Sequence, residues 1–161
     1  VGRLTQALAE YFDSVTGVDI AAPMIEGARK YNRHGERCRY VVNDRPDLHC
    51  FADEHFDFIF TLIVLQHMRP HYAKGYLREF LRILRSGGML VFQLPTVSLT
   101  PENTVVSEDS GPVAQMYGIP PEDVISFMEA AGARLLETYR NVGGGAEQSQ
   151  TYFFERPAES R

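Results

Sequence analysis

The segment VTGVDIAAPMIEGAR, residues 15–29, restricts the fold more than any other part of this chain. It reads as a short apolar strand over 15–18, then an acid, Asp19, then a helix over 23–31 with Pro23 in its first turn. Asp19 lies 17 residues after Gly2, which opens a helix-like stretch. An acid at the tip of a second strand, roughly 20 residues past a glycine turn, is how nucleotide-binding α/β folds hold a ribose. A carboxylate there accepts hydrogen bonds from both ribose hydroxyls, and such charge-assisted bonds are short and strong. The competing reading of Asp19 is a surface acid that caps the helix behind it. The spacing favours a nucleoside-containing cofactor, although most of the glycine loop expected before Gly2 has no counterpart in a sequence that opens at Val1.

The rest of the chain keeps the same alternation. Residues 3–12 read as a helix, with Leu4, Ala7, Leu8 and Tyr11 on one face, and 39–42 as a strand. The run 56–64 is almost wholly apolar and reads as a central strand. An amphipathic helix follows over 72–84, its stripe built from Tyr76, Leu77, Phe80, Leu81 and Leu84, with Arg78, Glu79, Arg82 and Arg85 facing water. Gly87-Gly88 is expected to stop it, and 89–94 to form the next strand. A helix opens at Pro121 and is capped by Gly132. Two strands, 134–139 and 150–155, are then joined through Gly143-Gly144-Gly145 as an antiparallel ending. Alternating strands and helices imply an α/β fold with a mostly parallel sheet and helices on both faces. At 161 residues the chain is expected to be a single domain, 1–161. The long connection 96–119 is the irregular segment where function concentrates, and Met116 and Tyr117 give its second half something to dock.

The formal charge of −5 argues against nonspecific nucleic-acid binding, which needs basic surface to displace counterions. The cluster Arg29, Lys30, Arg33, Arg37 and Arg39 reads as a solvated face. Two cysteines, Cys38 and Cys50, without a CxxC spacing fit a reducing cytoplasm. No apolar run is long enough to span a bilayer. His67 and His71 are four apart, but Pro70 between them spoils a shared helical face, and His49, Cys50 and His55 have no ligand spacing, so no metal is expected.

Four stretches together resemble the class I S-adenosylmethionine-dependent methyltransferases: VGRLTQALA at 1–9, VTGVDIAAPMIEGAR at 15–29, FDFIFTLIVLQHM at 56–68 and LREFLRILRSGGMLVFQLP at 77–95. The resemblance spans residues 2–157. It implies a Rossmann-like three-layer α/β/α sandwich with an antiparallel C-terminal hairpin. Its first strand and most of its glycine-rich loop are missing from this sequence, so the domain is expected to be truncated at its N-terminus. The implied cofactor is S-adenosylmethionine and the implied reaction is methyl transfer to a small molecule or biosynthetic intermediate; the charge and the short apolar runs add the expectation of no nucleic acid and no membrane as partner.

Asp19 is the expected ribose ligand, and Ile20 and Met24 pack on the adenine face or are plain core. By the resemblance Asp44 accepts from the adenine amino group; otherwise it is a turn former in Asn43-Asp44-Arg45-Pro46. Gly2 lets backbone approach the methionine end. Thr61 and Leu62 lie at the carboxyl end of a strand, where open α/β sheets bind ligands. His67 is the candidate catalytic base for an oxygen or nitrogen nucleophile, against the plainer reading of a histidine that fixes a turn. Substrate contacts are expected from 96–119 and 140–149. Two other readings remain: a non-catalytic or degenerate module of the same fold, and a nicotinamide-dependent oxidoreductase, which shares the acid. The acceptor atom and the oligomeric state are not encoded in these motifs.

Overall fold

The structure, a computed structural model, describes residues 1–97, 116–141 and 149–158. It divides the chain into two units, Val1–Pro46 and Asp47–Arg161.

The first unit is a parallel pair of strands, β1 (Val15–Asp19) and β2 (Cys38–Val42), with helices α1 (Arg3–Leu8) and α2 (Ala22–Lys30). Its register runs from Val15 opposite Cys38 to Asp19 opposite Val42. Ala9, Ile25, Ala28, Cys38 and Tyr40 form the core, with Val15 packed against it. Gly17 sits in β1 for a steric reason: a Cβ there would stand 2.5 Å from Thr5 Oγ1 and 3.1 Å from the Tyr40 ring. Only a bare strand backbone lets α1 lie this close. Helix α1 is shorter than the expected 3–12. Beyond Leu8 the chain tightens into three-residue turns, Glu10 N–H to Ala7 O and Tyr11 N–H to Leu8 O, before entering β1.

The second unit contains β3 (Phe56–Thr61), α3 (Pro70–Ile83), β4 (Leu84–Pro95), α4 (Pro121–Ala130), β5 (Arg134–Asn141) and β6 (Ser149–Glu155). The sheet order is β3-β4-β6-β5, parallel between β3 and β4 and antiparallel thereafter. One face carries Leu90, Phe92 and Leu94 of β4 with Tyr152 and Phe154 of β6, packed with Leu77, Phe80, Val124 and Met128 of the two helices. The Phe92 ring stacks on Tyr152 at 5.1 Å and on Phe154 at 5.9 Å. Burial pushes the Tyr152 hydroxyl up to about 12, with the Glu122 carboxylate adding to the shift. Strands joined through helices, parallel early and antiparallel at the end, make this the Rossmann-like α/β pattern expected from the sequence.

Further expectations change. The double glycine does not end α3. The helix stops at Ile83, and Gly87-Gly88 lie within β4, where Phe56 pairs with Leu84 but Phe58 pairs with Met89. Arg85–Gly88 therefore bulge out of the parallel ladder, and the glycines instead bond to the end of β6: Gly87 N–H to Arg156 O at 2.7 Å and Arg156 N–H to Gly88 O at 3.0 Å. Strand β3 ends at Thr61 rather than 64, because Ile63 turns the chain with a left-handed φ of 60°. Among the described residues it is also the end strand of its sheet, and it is half-buried rather than buried on both faces. Finally, Glu79 and Arg82 do not simply face water. Arg82 grips both oxygens of Glu79 at 2.8–2.9 Å, Asp53 at 2.6 Å, and the carbonyls of Leu48 and Phe51, while Glu79 accepts the Leu48 N–H. The pair thus fastens the polar stretch 48–53 to α3, and the Arg82 guanidinium holds the Glu79 carboxyl below its ordinary range. The triple glycine at 143–145 lies outside the described residues.

Candidate functional site

Strand β1 delivers Asp19 to the carboxyl edge of its sheet, and the chain must then turn into α2. Asp19 Oδ1 accepts the Ala21 N–H at 2.9 Å, which fixes that turn and orients the carboxylate. Oδ2 has no partner among the described residues. Helix α2 has Ala21 as its N-cap and no side-chain cap, so the helix-cap reading of Asp19 does not hold: its bond closes the turn before the helix and leaves Oδ2 unused. Ile20 and Met24 flank it, 71% and 46% exposed. They are not core, so the alternative of plain packing is excluded for both.

The neighbouring strand brings Asp44 to the same edge. Asp19 stands opposite Val42, and the Asn43 N–H donates to Asp19 O at 3.0 Å. Asn43 is buried, with its Nδ2 on Arg45 O at 3.4 Å, so it holds the turn from which exposed Asp44 projects. The sequence reading missed Asn43 as the anchor, although a polar residue directly after an apolar strand was a signal for it. Gly2 has a left-handed φ of 66° and precedes α1; a Cβ there would meet the Ala28 Cβ at 3.0 Å and the Tyr40 hydroxyl at 3.1 Å. Helix packing alone therefore requires glycine at this position. Asp19, Ile20, Met24 and Asp44 thus gather on one edge of the first unit. A free carboxylate oxygen beside exposed apolar side chains fits a ribose joined to a purine, the nucleoside part of S-adenosylmethionine.

In the second unit, Thr61 closes β3 and Leu62 opens the turn beyond it. The turn continues through Ile63 into a short 3-10 segment, Leu65–His67, anchored by buried Leu65. His67 donates its backbone N–H to Val64 O at 3.1 Å, while its imidazole is exposed. Gln66, which the sequence reading passed over, holds the returning chain: its carbonyl accepts the Tyr117 N–H at 2.8 Å and its Nε2 meets Met116 Sδ at 3.1 Å. Ile119 N–H adds a bond to Pro95 O. The docking expected of Met116 and Tyr117 is thus present. No local pattern reveals Gln66, because its partners lie some 50 residues away. Residues 98–115 and 142–148, where substrate contacts were expected, lie outside the described residues. A cleft of about 870 Å³ is lined by Asp53, Arg78, Arg82 and Arg156, among others. It opens at the amino end of β3, away from Thr61, and Arg82 and Arg156 are already engaged by carboxylates and carbonyls.

Residues 1–92 match the family model described as a methyltransferase domain. No curated protein matches the sequence. Among solved structures, the CcbJ methyltransferase from Streptomyces caelestis is 16% identical, with a TM-score of 0.73 over 98% of this chain and 80% of that one. An S-adenosylmethionine-dependent methyltransferase from Clostridium acetobutylicum is 15% identical, with a TM-score of 0.72 over 96% and 80%. The [4+2]-cyclase SpnF is 17% identical, with a TM-score of 0.66 over 90% and 67%. At these identities the structural likeness speaks for the fold; the family match, over more than half of the chain, speaks for lineage and brings S-adenosylmethionine as the cofactor. The chain belongs to the S-adenosylmethionine-dependent methyltransferase-domain family.

Proposed function

We propose that this chain, as one domain, transfers the methyl group of S-adenosylmethionine to a small-molecule acceptor in the cytoplasm. The observation that carries the proposal is the Asp19 carboxylate, with one oxygen fixed by the Ala21 N–H and the other free beside exposed Ile20 and Met24. Cys38 and Cys50 as free thiols fit a reducing compartment.

When bound, S-adenosylmethionine supplies an electrophilic methyl group and a neutral thioether leaving group. The protein's share is then positioning. Asp19 accepts from the ribose hydroxyls, Asp44 from the adenine amino group, and Ile20 and Met24 cover the ring. Gly2, Thr61 and Leu62 contribute backbone. Holding nucleophile and methyl at near-attack distance supplies about 7–11 kcal/mol in good cases, so no covalent intermediate on the protein is needed. His67 takes the proton from an acceptor hydroxyl or amine, a task suited to an exposed imidazole.

The test is transfer of a radiolabelled methyl group to a panel of phenols, primary amines and carboxylic acids. Transfer to at least one class is expected, with His67→Ala lowering kcat by about 10²-fold or more and leaving the KM for S-adenosylmethionine within a factor of about three. Absence of transfer by a folded chain that binds the cofactor would overturn the proposal.

A further inference from the structure

Segment 29–39 places Arg29, Lys30, Arg33, Arg37 and Arg39 against a single acid, Glu36, in a chain of net charge −5. All five cations are exposed. None forms an ion pair with a carboxylate among the described residues, whereas Arg82, Arg85, Arg134 and Arg156 of the second unit each do.

Their arrangement follows the outer edge of β2, whose one strand partner among the described residues is β1. Arg29 Nη2 donates to Tyr40 O at 2.8 Å, and Asn32 Nδ2 reaches Cys38 O at 3.4 Å. The turn after α2 is therefore folded back along that edge, and Arg39 lies on the strand between the two capped carbonyls. Arg37 Nη2 donates to Phe12 O at 3.2 Å, which ties the turns after α1, with exposed Tyr11, to the same region. Exposed Tyr31 stands under the Lys30 ammonium at 5.7 Å.

We infer that this basic edge is a docking surface for a single-stranded nucleic acid. Four of the five cations are arginines, whose planar forks match phosphate oxygens bidentately. Exposed tyrosines beside them give unpaired bases a face to stack on. The carbonyls of Cys38 and Tyr40 are already occupied by side chains, so an acidic peptide cannot add to this edge as a further strand. The net charge of −5 argues against nonspecific binding over the whole surface, and the plainer reading of this cluster is a solvated face; the inference concerns this edge alone. Because Arg39 stands near the amino end of β2 and Asp19 at the carboxyl end of β1, the surface is separate from the Asp19 edge and does not rest on the methyl-transfer reading.

The test is fluorescence anisotropy of a labelled 15-nucleotide oligouridylate titrated with the 161-residue chain at several KCl concentrations. Neutralising four phosphates gives a slope of log K against log salt of about −3, at roughly −0.7 per contact. Lys30→Ala/Arg33→Ala/Arg39→Ala removes three side chains that make no hydrogen bond within the described protein. It is expected to flatten the slope by about 2 and to lower affinity at 50 mM KCl at least tenfold. Arg85→Ala, which removes an ion-paired arginine of the second unit, is expected to bind like the parent. No binding at 50 mM KCl, equal binding by the folded triple variant, or competition by polyglutamate as effective as by the oligonucleotide would each overturn the inference.

Discussion

Arg82→Ala tests whether the 48–53 stretch is held by one side chain. Arg82 makes five hydrogen bonds at 2.6–3.2 Å, and its side chain is 26% exposed. They differ in weight. Asp53 is 74% exposed, so its share is close to zero once screened by water. The bonds to the Leu48 and Phe51 carbonyls have a charged donor and contribute about 1.5 kcal/mol each. Glu79, 17% exposed, keeps the Leu48 N–H when Arg82 is gone, which limits the cost of its lost partner. The expected destabilisation is about 3 kcal/mol, at the lower end of the roughly 3–5 kcal/mol for breaking a fully buried pair. For a chain of this length that lowers Tm by roughly 9 °C. Urea unfolding followed by circular dichroism measures it, with Asp53→Ala as the comparison at under about 0.5 kcal/mol. An Arg82→Ala variant within about 1 kcal/mol of the parent, or an Asp53→Ala variant equally damaged, would refute the assignment of weight.

Glu79 carries a pH signature of the same contact. Its folded-state pKa lies below the ordinary value of 4.5, so the stability it contributes is fully present above about 4.5 and is lost as pH falls through the depressed folded value. Tm measured from pH 6 to pH 2.5 is expected to fall less steeply in Glu79→Gln than in the parent. Gly17→Ala is expected to cost about 2 kcal/mol by pushing Thr5 Oγ1 and the Tyr40 ring. Thr5→Ala in the same chain recovers part of that cost, and simple additivity of the two in denaturant unfolding would count against the contact. Ile63→Gly is expected to raise Tm by about 1–3 °C, because a β-branched residue at φ 60° is strained and this one is 63% exposed; a lower Tm would show that Ile63 is held by packing instead.

Where the sequence was readable, one local signal dominated. Pro23 and Pro121 mark helix starts because a proline in the first turn loses no hydrogen bond, and both helices begin there or one residue earlier. The places of Asp19 and Asp44, at and just past the carboxyl ends of two strands, were legible because each acid closes an apolar run. What the sequence hid depends on contacts distant in the chain. Gly87-Gly88 have the composition of a helix stop, but their partner is Arg156, about 70 residues away. Arg82 has the periodicity of a solvent-facing residue, and only the return of 48–53 gives it work. Ile63 belongs to an unbroken apolar run, so nothing local shows that the chain turns there. Gln66 is a polar residue whose importance lies in what it holds, Met116 and Tyr117, which no spacing encodes.

The most direct test of the central claim is calorimetric titration of the chain with S-adenosylhomocysteine, with NADH as the comparison ligand. Micromolar binding of the former and at least tenfold weaker binding of the latter are expected. Asp19→Ala should weaken it by about 10²-fold or more, the loss of two hydrogen bonds to a carboxylate. Asp19→Asn, which keeps an acceptor for the Ala21 N–H and removes only the charge, should fall between. A folded chain that binds S-adenosylhomocysteine equally well with and without the Asp19 carboxylate, or that prefers NADH, would contradict the account.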